Sequence, residues 1–145
     1  MLIEQSAALP YRRLPDGSAS FLLVTCLTTR RWIIPKWHVE RNMTAHASAA
    51  KEALEEAGVV GKISPRLLGK YQYDKLLPGG GVRRAAVRVY PLAVKKEKGR
   101  WDEMHIRERA WFPANEAVAR TDEPGLQAIM RMFAAEVASG TNAPG

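Results

Sequence analysis

The sequence predicts a single α/β domain, and three observations lead to that prediction. The chain has 145 residues with 46% hydrophobic content, which suits one compact core and leaves little room for a second. Short apolar runs with strand character alternate with turn residues along most of the chain. Two longer segments have helical features instead. We therefore expect one domain over residues 1–145, with a frayed tail from about residue 140.

The strands are marked by apolar runs between Pro- and Gly-rich turns. The second run, residues 20–28, is apolar on both faces and is expected at the centre of a sheet that is covered on both sides. Residues 78–81 predict a turn, and the charged residues 95–100 predict a solvated loop that ends the preceding strand. The predicted strands span residues 9–14, 20–28, 31–34, 59–63, 67–77, 82–94 and 108–112.

The two long helices have recognisable ends. Residues 44–57 are rich in alanine, with Thr44 as a predicted N-cap and Gly58 as the C-terminal cap. Pro124 suits the start of the last helix, whose apolar residues recur at helical spacing and predict a face packed on the core. That stripe consists of Leu126, Ile129, Met130, Phe133 and Val137. A short helix is expected at residues 113–118.

Composition restricts the classes of function. The net charge of +7 suits a solvated surface, a nucleic acid, an anionic membrane surface or a small polyanion. The single cysteine, Cys26, lies in an apolar run, which excludes a disulfide framework and favours a reducing cytoplasm. The first residues lack the pattern of a secretory signal, and no segment approaches the roughly 20 apolar residues of a membrane span. We expect no membrane partner.

Three carboxylates on the first long helix carry the main functional signal. Glu52, Glu55 and Glu56 lie at positions i, i+3 and i+4, so they share one helix face. They repel one another, and the negative end of the helix dipole adds to that cost. A divalent cation removes both penalties, and Mg²⁺ binds carboxylate oxygens together with substrate phosphates. The alternative is a solvated acidic face on which Lys51 pairs with Glu55 at i+4.

The residues around these carboxylates resemble the Nudix box, a strand, loop and helix that binds Mg²⁺ for pyrophosphate cleavage. The resemblance rests on residues 32–40 (WIIPKWHVE) and 51–59 (KEALEEAGV). The family motif ends R-E-U-x-E-E-x-G-U, where U is a bulky aliphatic residue. The residues in register with it are Glu52, Glu55, Glu56, Gly58 and Val59. The resemblance implies an α/β/α sandwich with a mixed central sheet and a Mg²⁺ cofactor, with Mn²⁺ as the alternative.

Four positions depart from the family motif. Trp37 replaces its leading glycine, Met43 its upstream glutamate, Lys51 its arginine, and Ala53 a larger aliphatic residue. A side chain at position 37 restricts the backbone conformations that glycine allows. Lys51 keeps the positive charge without the arginine fork, and Met43 removes the acid usually paired with that arginine. These departures leave open a degenerate box, and with it a non-catalytic module that binds a nucleotide or RNA.

Segments inside the box and beyond it resemble bacterial members of the diphosphoinositol polyphosphate phosphohydrolase-like subgroup. They comprise residues 31–36, 49–53, 55–59, 68–73 and 111–112. This resemblance implies a small polyphosphorylated substrate, such as a diphosphoinositol polyphosphate or a diadenosine polyphosphate. ADP-ribose or a capped RNA end is the alternative within the hydrolase interpretation, and a nucleic-acid partner is less favoured. The sequence contains no signal for an oligomeric state.

The resulting hypothesis gives each candidate residue a role. Glu52 and Glu56 hold Mg²⁺, and Glu55 serves as a ligand or base while a metal-activated water attacks phosphorus. In the resemblance, Trp37 contributes its backbone carbonyl to the metal, and Glu103 is a further candidate ligand or base. Basic side chains stabilise the departing phosphate. The candidate substrate-binding residues are Arg12, Arg13, Lys36, His38, Arg41, Arg84 and Arg88.

Overall fold

The structure, a computed structural model, describes residues 2–140 and is built on a mixed sheet of eight strands. The strands are β1 (Ile3–Arg13), β2 (Ala19–Thr25), β3 (Trp32–Ile33), β4 (Lys36–His38), β5 (Val59–Ile63), β6 (Gly69–Leu76), β7 (Val82–Glu97) and β8 (Arg109–Pro113). The helices are α1 (Ala45–Glu52), which continues into a π-helical turn (Ala53–Ala57), α2 (Ala114–Arg120) and α3 (Pro124–Ser139). No helix within these residues is long and apolar enough to cross a membrane. Beyond residue 140, the tail expected to fray lies outside the described residues.

Strand β1 organises the sheet. It pairs in parallel with β7, and on its other side it pairs antiparallel with β4 and then with β2. The path through the sheet is β3-β2-β1-β7-β5, with β4 added to β1, β6 to β7 and β8 to β2. Because side chains alternate along a strand, Ala7 and Leu9 enter one core while Ala8 enters the other. Both faces of β1 are therefore covered.

Helices pack on both faces of the sheet, as the Nudix resemblance implied. On one face, Ala49, Ala53 and Ala57 of the acidic helix pack in a core with β2 and β7 residues. On the other face, the Phe133 ring of α3 lies 6.3 Å from that of Phe21 and 4.8 Å from that of Tyr11. All five residues of the predicted α3 stripe are buried. The α/β/α sandwich with a mixed central sheet is confirmed.

Three elements differ from the sequence prediction for tertiary reasons. Strand β1 begins at Ile3 rather than at residue 9, because its polar residues Gln5 and Ser6 are buried by pairing with β7. Residues 36–38, expected in a loop, form β4 against β1. Strand β7 continues to Glu97, because its charged end pairs with β5. The pairing energy of a neighbouring strand offsets a weak local propensity in each case.

Candidate active site

The acidic helix is ordered from its first residue. The Thr44 side chain accepts a hydrogen bond from the Ala47 backbone N–H at 3.2 Å, so the predicted N-cap is present. From Ser48 onward, burial recurs every four residues, so that Glu52 and Glu56 follow Ser48 on the face turned inward. The last turn is π-helical, a widened geometry that is frequent at functional sites. The sequence therefore directs two carboxylates into the protein.

Burial makes the Glu52 and Glu56 carboxyl groups hard to ionise together. Their exposed fractions are only 5% and 3%. Burial, followed by the charge of Glu55, raises the pKa of Glu52 to about 7, while a hydrogen bond with Glu56 opposes the shift. Burial also raises the pKa of Glu56 to about 8, against the opposing charge of Arg107. A cation between these groups would favour their charged forms.

Arg107 is the cation that lies nearest to this pair. Its Nη2 is 3.7 Å from Oε1 of Glu56, and its Nε donates to the carboxylate of Glu103. A third bond, from Nη1 to the backbone oxygen of Thr25 at 2.9 Å, fixes the guanidinium against β2. The backbone N–H of Glu103 donates to the backbone carbonyl oxygen of Glu55 at 3.1 Å, which brings this loop to the helix. Glu103 thus lies beside the helix carboxylates.

Mg²⁺ prefers oxygen ligands, and one carboxylate oxygen of the buried pair lacks a hydrogen-bond partner. Oε1 of Glu56 is buried and accepts no hydrogen bond, which suits an atom that binds a cation. Within residues 2–140, no three His, Cys, Asp or Glu side chains already stand in an array that could hold a metal ion. Mg²⁺ commonly binds one or two carboxylates and takes its other ligands from water and phosphate. The buried pair fits that pattern.

Lys36 extends the site from β4. Its Nζ lies 4.8 Å from the ring centroid of Tyr73, whose hydroxyl donates to Oε1 of Gln5 at 2.8 Å. Burial lowers the pKa of Lys36 to about 8, and the negative charge of Glu56 opposes that shift. Burial raises the pKa of Glu123, at the start of α3, and the positive charge of Lys36 opposes that shift. Lys36 therefore lies between the acidic helix and the β6 edge.

The N-terminal half of the helix is joined to the β4 loop by side chains. Nζ of Lys51 donates to both carboxylate oxygens of Glu40 at 2.7 Å, and it lies 3.8 Å from Glu55. The Ser48 hydroxyl accepts from the Glu40 backbone N–H at 3.3 Å and donates to the His38 oxygen at 3.5 Å. The acid that is missing at Met43 is thus supplied by Glu40, so Lys51 does not lack a partner.

A different arrangement closes the C-terminal end of the helix. Gly58 has φ +67°, as the predicted cap requires. Arg109 stacks on the Trp101 ring at 3.8 Å and donates to the carbonyl oxygens of Ala57 at 2.9 Å and Lys98 at 2.8 Å. The indole N–H of Trp101 donates to the backbone carbonyl oxygen of Glu56 at 3.1 Å. Trp101 and Arg109, which we call the C-terminal clamp, therefore satisfy the last carbonyls of the helix.

Position 37 does not need the conformation that glycine allows. Within residues 2–140, Arg30 and Asn42 are the only residues other than glycine with positive φ, so Trp37 has an ordinary backbone. It pairs with Ser6 as part of β4. The restriction expected from a side chain at position 37 is thus met by a strand, and the role of the Trp37 carbonyl as a metal ligand stays a prediction.

The predicted substrate-binding residues do not all come together. Arg84 bonds Asp74 at 2.9 Å, and Arg88 lies 3.9 Å from Glu4. Arg12 stacks over Trp111 at 4.2 Å. It lies five residues along β1 from Ala7, the strand partner of Lys36, which corresponds to roughly 16 Å. Arg13 donates to the Val137 oxygen of α3. Lys36, Trp37 and His38 are near one another on β4, and Arg41 is exposed in the turn that follows.

Sequence reasoning missed four residues of this site: Glu40, Tyr73, Arg107 and Arg109. A signal existed for Arg107, which stands at i+4 from Glu103, the spacing of a helical ion pair. Tyr73 follows Tyr71 at strand spacing, but only the fold shows that it contacts Lys36. The contacts of Glu40 and Arg109 depend on segments that are distant in sequence.

The NUDIX domain family model matches residues 7–133. This chain belongs to the Nudix family. It is 34% identical over 115 residues to the mitochondrial Nudix hydrolase 18 of Arabidopsis thaliana, covering 75% of this chain and 63% of the relative. It is 36% identical over 90 residues to diphosphoinositol polyphosphate phosphohydrolase 2 of Rattus norvegicus, covering 61% and 46%. The chain thus spans less than two thirds of these relatives.

Solved structures show the same fold at low sequence identity. A Caenorhabditis elegans Ap4A hydrolase in a binary complex has a TM-score of 0.68 and 19% identity, with 95% of this chain and 99% of that chain covered. The NUDIX domain of Shewanella oneidensis NrtR, complexed with ADP ribose, has a TM-score of 0.66 and 14% identity, with 92% and 87% covered. The predicted family and its fold are confirmed.

Proposed function

We propose that this chain hydrolyses a phosphoanhydride bond in a small polyphosphorylated substrate, with Mg²⁺ as its cofactor and Mn²⁺ as an alternative. The observation that carries this proposal is the buried pair Glu52 and Glu56, in register with the family motif and without a hydrogen-bond partner at Glu56 Oε1. Two buried ionisable groups are costly to keep inside the protein, and Arg107, 3.7 Å from Glu56 Oε1, offsets only part of that cost. Their retention at this position supports a cation site.

Glu52 and Glu56 would hold the metal ion, with Glu55 and Glu103 at its margin. A bound Mg²⁺ supplies charge neutralisation for the phosphates and lowers the pKa of a coordinated water. Glu55, which is partly exposed beside the pair, would take a proton from water in the cleft. Lys36 and Arg107, whose charges both interact with Glu56, are the cations proposed to stabilise the departing phosphate.

The substrate class follows from the charge of the cleft and from the names of similar proteins. Lys36 and Arg107 favour a polyanion, and similar proteins are named as diphosphoinositol polyphosphate phosphohydrolases and an Ap4A hydrolase. We therefore propose a diphosphoinositol polyphosphate or a diadenosine polyphosphate, with ADP-ribose as the alternative. The proposed location is the cytoplasm, on the evidence of the single cysteine, although several Arabidopsis relatives are named as mitochondrial.

A phosphate-release screen with Mg²⁺ tests this function. The substrates are diphosphoinositol polyphosphates, diadenosine polyphosphates, ADP-ribose and nucleoside triphosphates. A phosphomonoesterase added afterwards releases phosphate from products such as AMP, and a reaction without the protein gives the background for each substrate. We expect turnover with at least one of them and a loss of about 100-fold or more in Glu56→Gln. Glu116→Gln, which changes an exposed glutamate in α2, is the matched control and should keep full activity. Full turnover in Glu56→Gln would refute the assignment.

The departures at Trp37, Met43 and Lys51 favour a second candidate, a binding module without catalysis. The Lys51–Glu40 ion pair weakens that candidate, because it joins the loop to the helix despite Met43. Calorimetry separates the two. A binding module takes up a polyphosphate ligand without Mg²⁺ and forms no product when the metal is added, whereas the hydrolase releases product only with the metal.

A further inference from the structure

We propose that the Trp37 side chain is the platform on which the base of a nucleoside polyphosphate stacks. The substrate is then a base-bearing polyphosphate, such as a diadenosine polyphosphate or ADP-ribose, rather than an inositol polyphosphate. This inference rests on the proposed function and names the substrate class of the same site. Its argument comes from the exposure of Trp37, its neighbours, the way it is held, and the distribution of cations around it.

Trp37 presents an aromatic surface to solvent. Its exposed fraction is 43%, and in the described part of the chain it is the only aromatic residue among the large hydrophobic side chains that are exposed. Trp32, Trp101 and Trp111 are partly buried against other side chains or the sheet. A single exposed apolar side chain needs no explanation by itself. The position of Trp37 is what distinguishes it.

Trp37 stands at the edge of the cleft that contains the carboxylates. It directly follows Lys36, whose ammonium is influenced by Glu56. The Lys75 Nζ lies 5.1 Å from the Trp37 ring centroid, and the His38 ring lies 5.1 Å from the same ring. The Lys75 ammonium thus lies beside the indole, where it would contact the phosphates of a stacked nucleotide. An aromatic face beside a cation matches the two chemistries of a nucleotide, base and phosphate.

The backbone of Trp37 is held in place on two sides. On one side, β4 pairs with β1 through Trp37 and Ser6. On the other side, the chain immediately after it is bonded to α1 through Ser48, and Glu40 is bonded to Lys51. A platform that is ordered before binding costs little entropy when a ligand stacks on it. Trp37 is therefore better placed for recognition than an exposed side chain on an unrestrained loop.

The distribution of cations argues against an inositol polyphosphate. Such a ligand has phosphates around a saturated ring, so it needs many cations and offers no planar face. Three arginines that could have served it, Arg12, Arg84 and Arg88, lie next to acidic side chains instead. Two cations, Lys36 and Arg107, interact with Glu56 through their charges, which suits a short polyphosphate chain. Recognition of the remainder of the substrate then falls to an aromatic surface.

Fluorescence with AMP and inorganic pyrophosphate tests the stacking directly. We expect AMP to quench the fluorescence of the wild-type protein, and pyrophosphate to leave it unchanged, since pyrophosphate has no base. In Trp37→Phe, AMP should still compete with a labelled nucleotide while the quenching disappears, because the reporting indole is gone. Equal quenching by AMP in the wild type and in Trp37→Phe, or no quenching in either, would overturn the proposal.

Steady-state kinetics on a diadenosine polyphosphate give the second readout. Trp37→Leu should raise KM about tenfold, while Trp37→Phe, which keeps a ring, should stay within about threefold of the wild type. Leu67→Ala is the matched control, because Leu67 has a similar exposed fraction of 40%, and it should leave KM unchanged. Equal KM values in Trp37→Leu and Trp37→Phe would contradict stacking.

The two proposals fail in different ways. Absence of turnover on every substrate of the screen would refute the proposed hydrolysis, and retained turnover in Glu56→Gln would refute the role of Glu56, but the AMP titration would still decide whether Trp37 stacks a base. Loss of turnover in Glu56→Gln, combined with an unchanged KM in Trp37→Leu, would support the hydrolysis and refute the platform. Higher wild-type kcat/KM for a diphosphoinositol polyphosphate than for every nucleotide would also refute it.

Discussion

The two ends of the acidic helix are held by different kinds of contact. At the N-terminal half, Lys51 and Glu40 form an ion pair whose side chains are 40% and 32% exposed. At the C-terminal end, the clamp packs against Gly58, and an added Cβ would lie 2.7 Å from the Trp101 ring. Exposed ion pairs tolerate substitution because they contribute little to stability. Closely packed contacts do not tolerate it, because an added atom has no space. This difference accounts for a box that keeps Gly58 at its C-terminal end and departs from the family motif at Met43 and Lys51.

The largest effect should come from Gly58→Ala. The new Cβ would lie 2.8 Å from Arg109 Nη1 and 2.7 Å from the Trp101 ring, at a φ of +67° that disfavours L residues. We expect a loss of ~2–4 kcal/mol in the free energy of unfolding, measured by denaturant titration. Gly99→Ala is the control, since nothing lies within 4 Å of its added Cβ. Equal stability of the two variants would mean that the clamp does not restrict this end.

The next effect is a dependence of stability on pH in the metal-free protein. The folded-state pKa values of Glu52 and Glu56 are raised, to about 7 and about 8, so the folded protein binds more protons than the unfolded chain above pH 4.5. Stability should therefore fall as pH rises from about 5 to about 8, on the order of 1–3 kcal/mol. Thermal melts across this range measure it. Glu52→Gln/Glu56→Gln should flatten the curve, and a rise in stability with pH would contradict the assignment.

Arg109→Lys should have a smaller effect than Gly58→Ala. Lysine keeps the charge but cannot reach the carbonyl oxygens of Ala57 and Lys98 together or stack flat on Trp101. A loss of ~1–2 kcal/mol is expected from denaturant titration. Arg30→Lys, at an exposed arginine that bonds one backbone oxygen, is the control and should change stability by less than ~0.5 kcal/mol. Equal losses of stability in Arg109→Lys and Arg30→Lys would contradict the stabilising role given to the clamp.

The smallest effect belongs to the Lys51–Glu40 pair. A double-mutant cycle with Lys51→Ala and Glu40→Ala should give a coupling of ~0.2–1 kcal/mol that decreases in 1 M salt, because both side chains are partly exposed. The exposed Arg66–Glu136 pair, with contacts of 2.6 and 2.7 Å, is the matched reference. A coupling energy larger than the loss of stability in Gly58→Ala would mean that the ion pair, rather than the clamp, is the stronger restraint on the helix.

The sequence could predict the parts of this site that depend on local spacing. Thr44, Gly58 and the inward turn of Glu52 and Glu56 follow from capping and helical periodicity, which act within a few residues. The replacement of Met43 by Glu40 could not be predicted in this way, because it depends on where β4 places the loop. The same holds for Arg109, which reaches Ala57 across 52 positions, and for the ion pairs that draw Arg84 and Arg88 away from the cleft.

Calorimetry of Mg²⁺ binding at pH 7, repeated in buffers of different ionisation enthalpy, tests the central claim most directly. Because Glu52 and Glu56 retain protons near neutral pH, a metal that binds to their carboxylates must displace them. We predict that the wild-type protein releases about one proton for each Mg²⁺ bound, and that Glu56→Gln reduces both the affinity and the proton release. Proton release that is unchanged in Glu56→Gln would show that the metal binds elsewhere and would contradict the account.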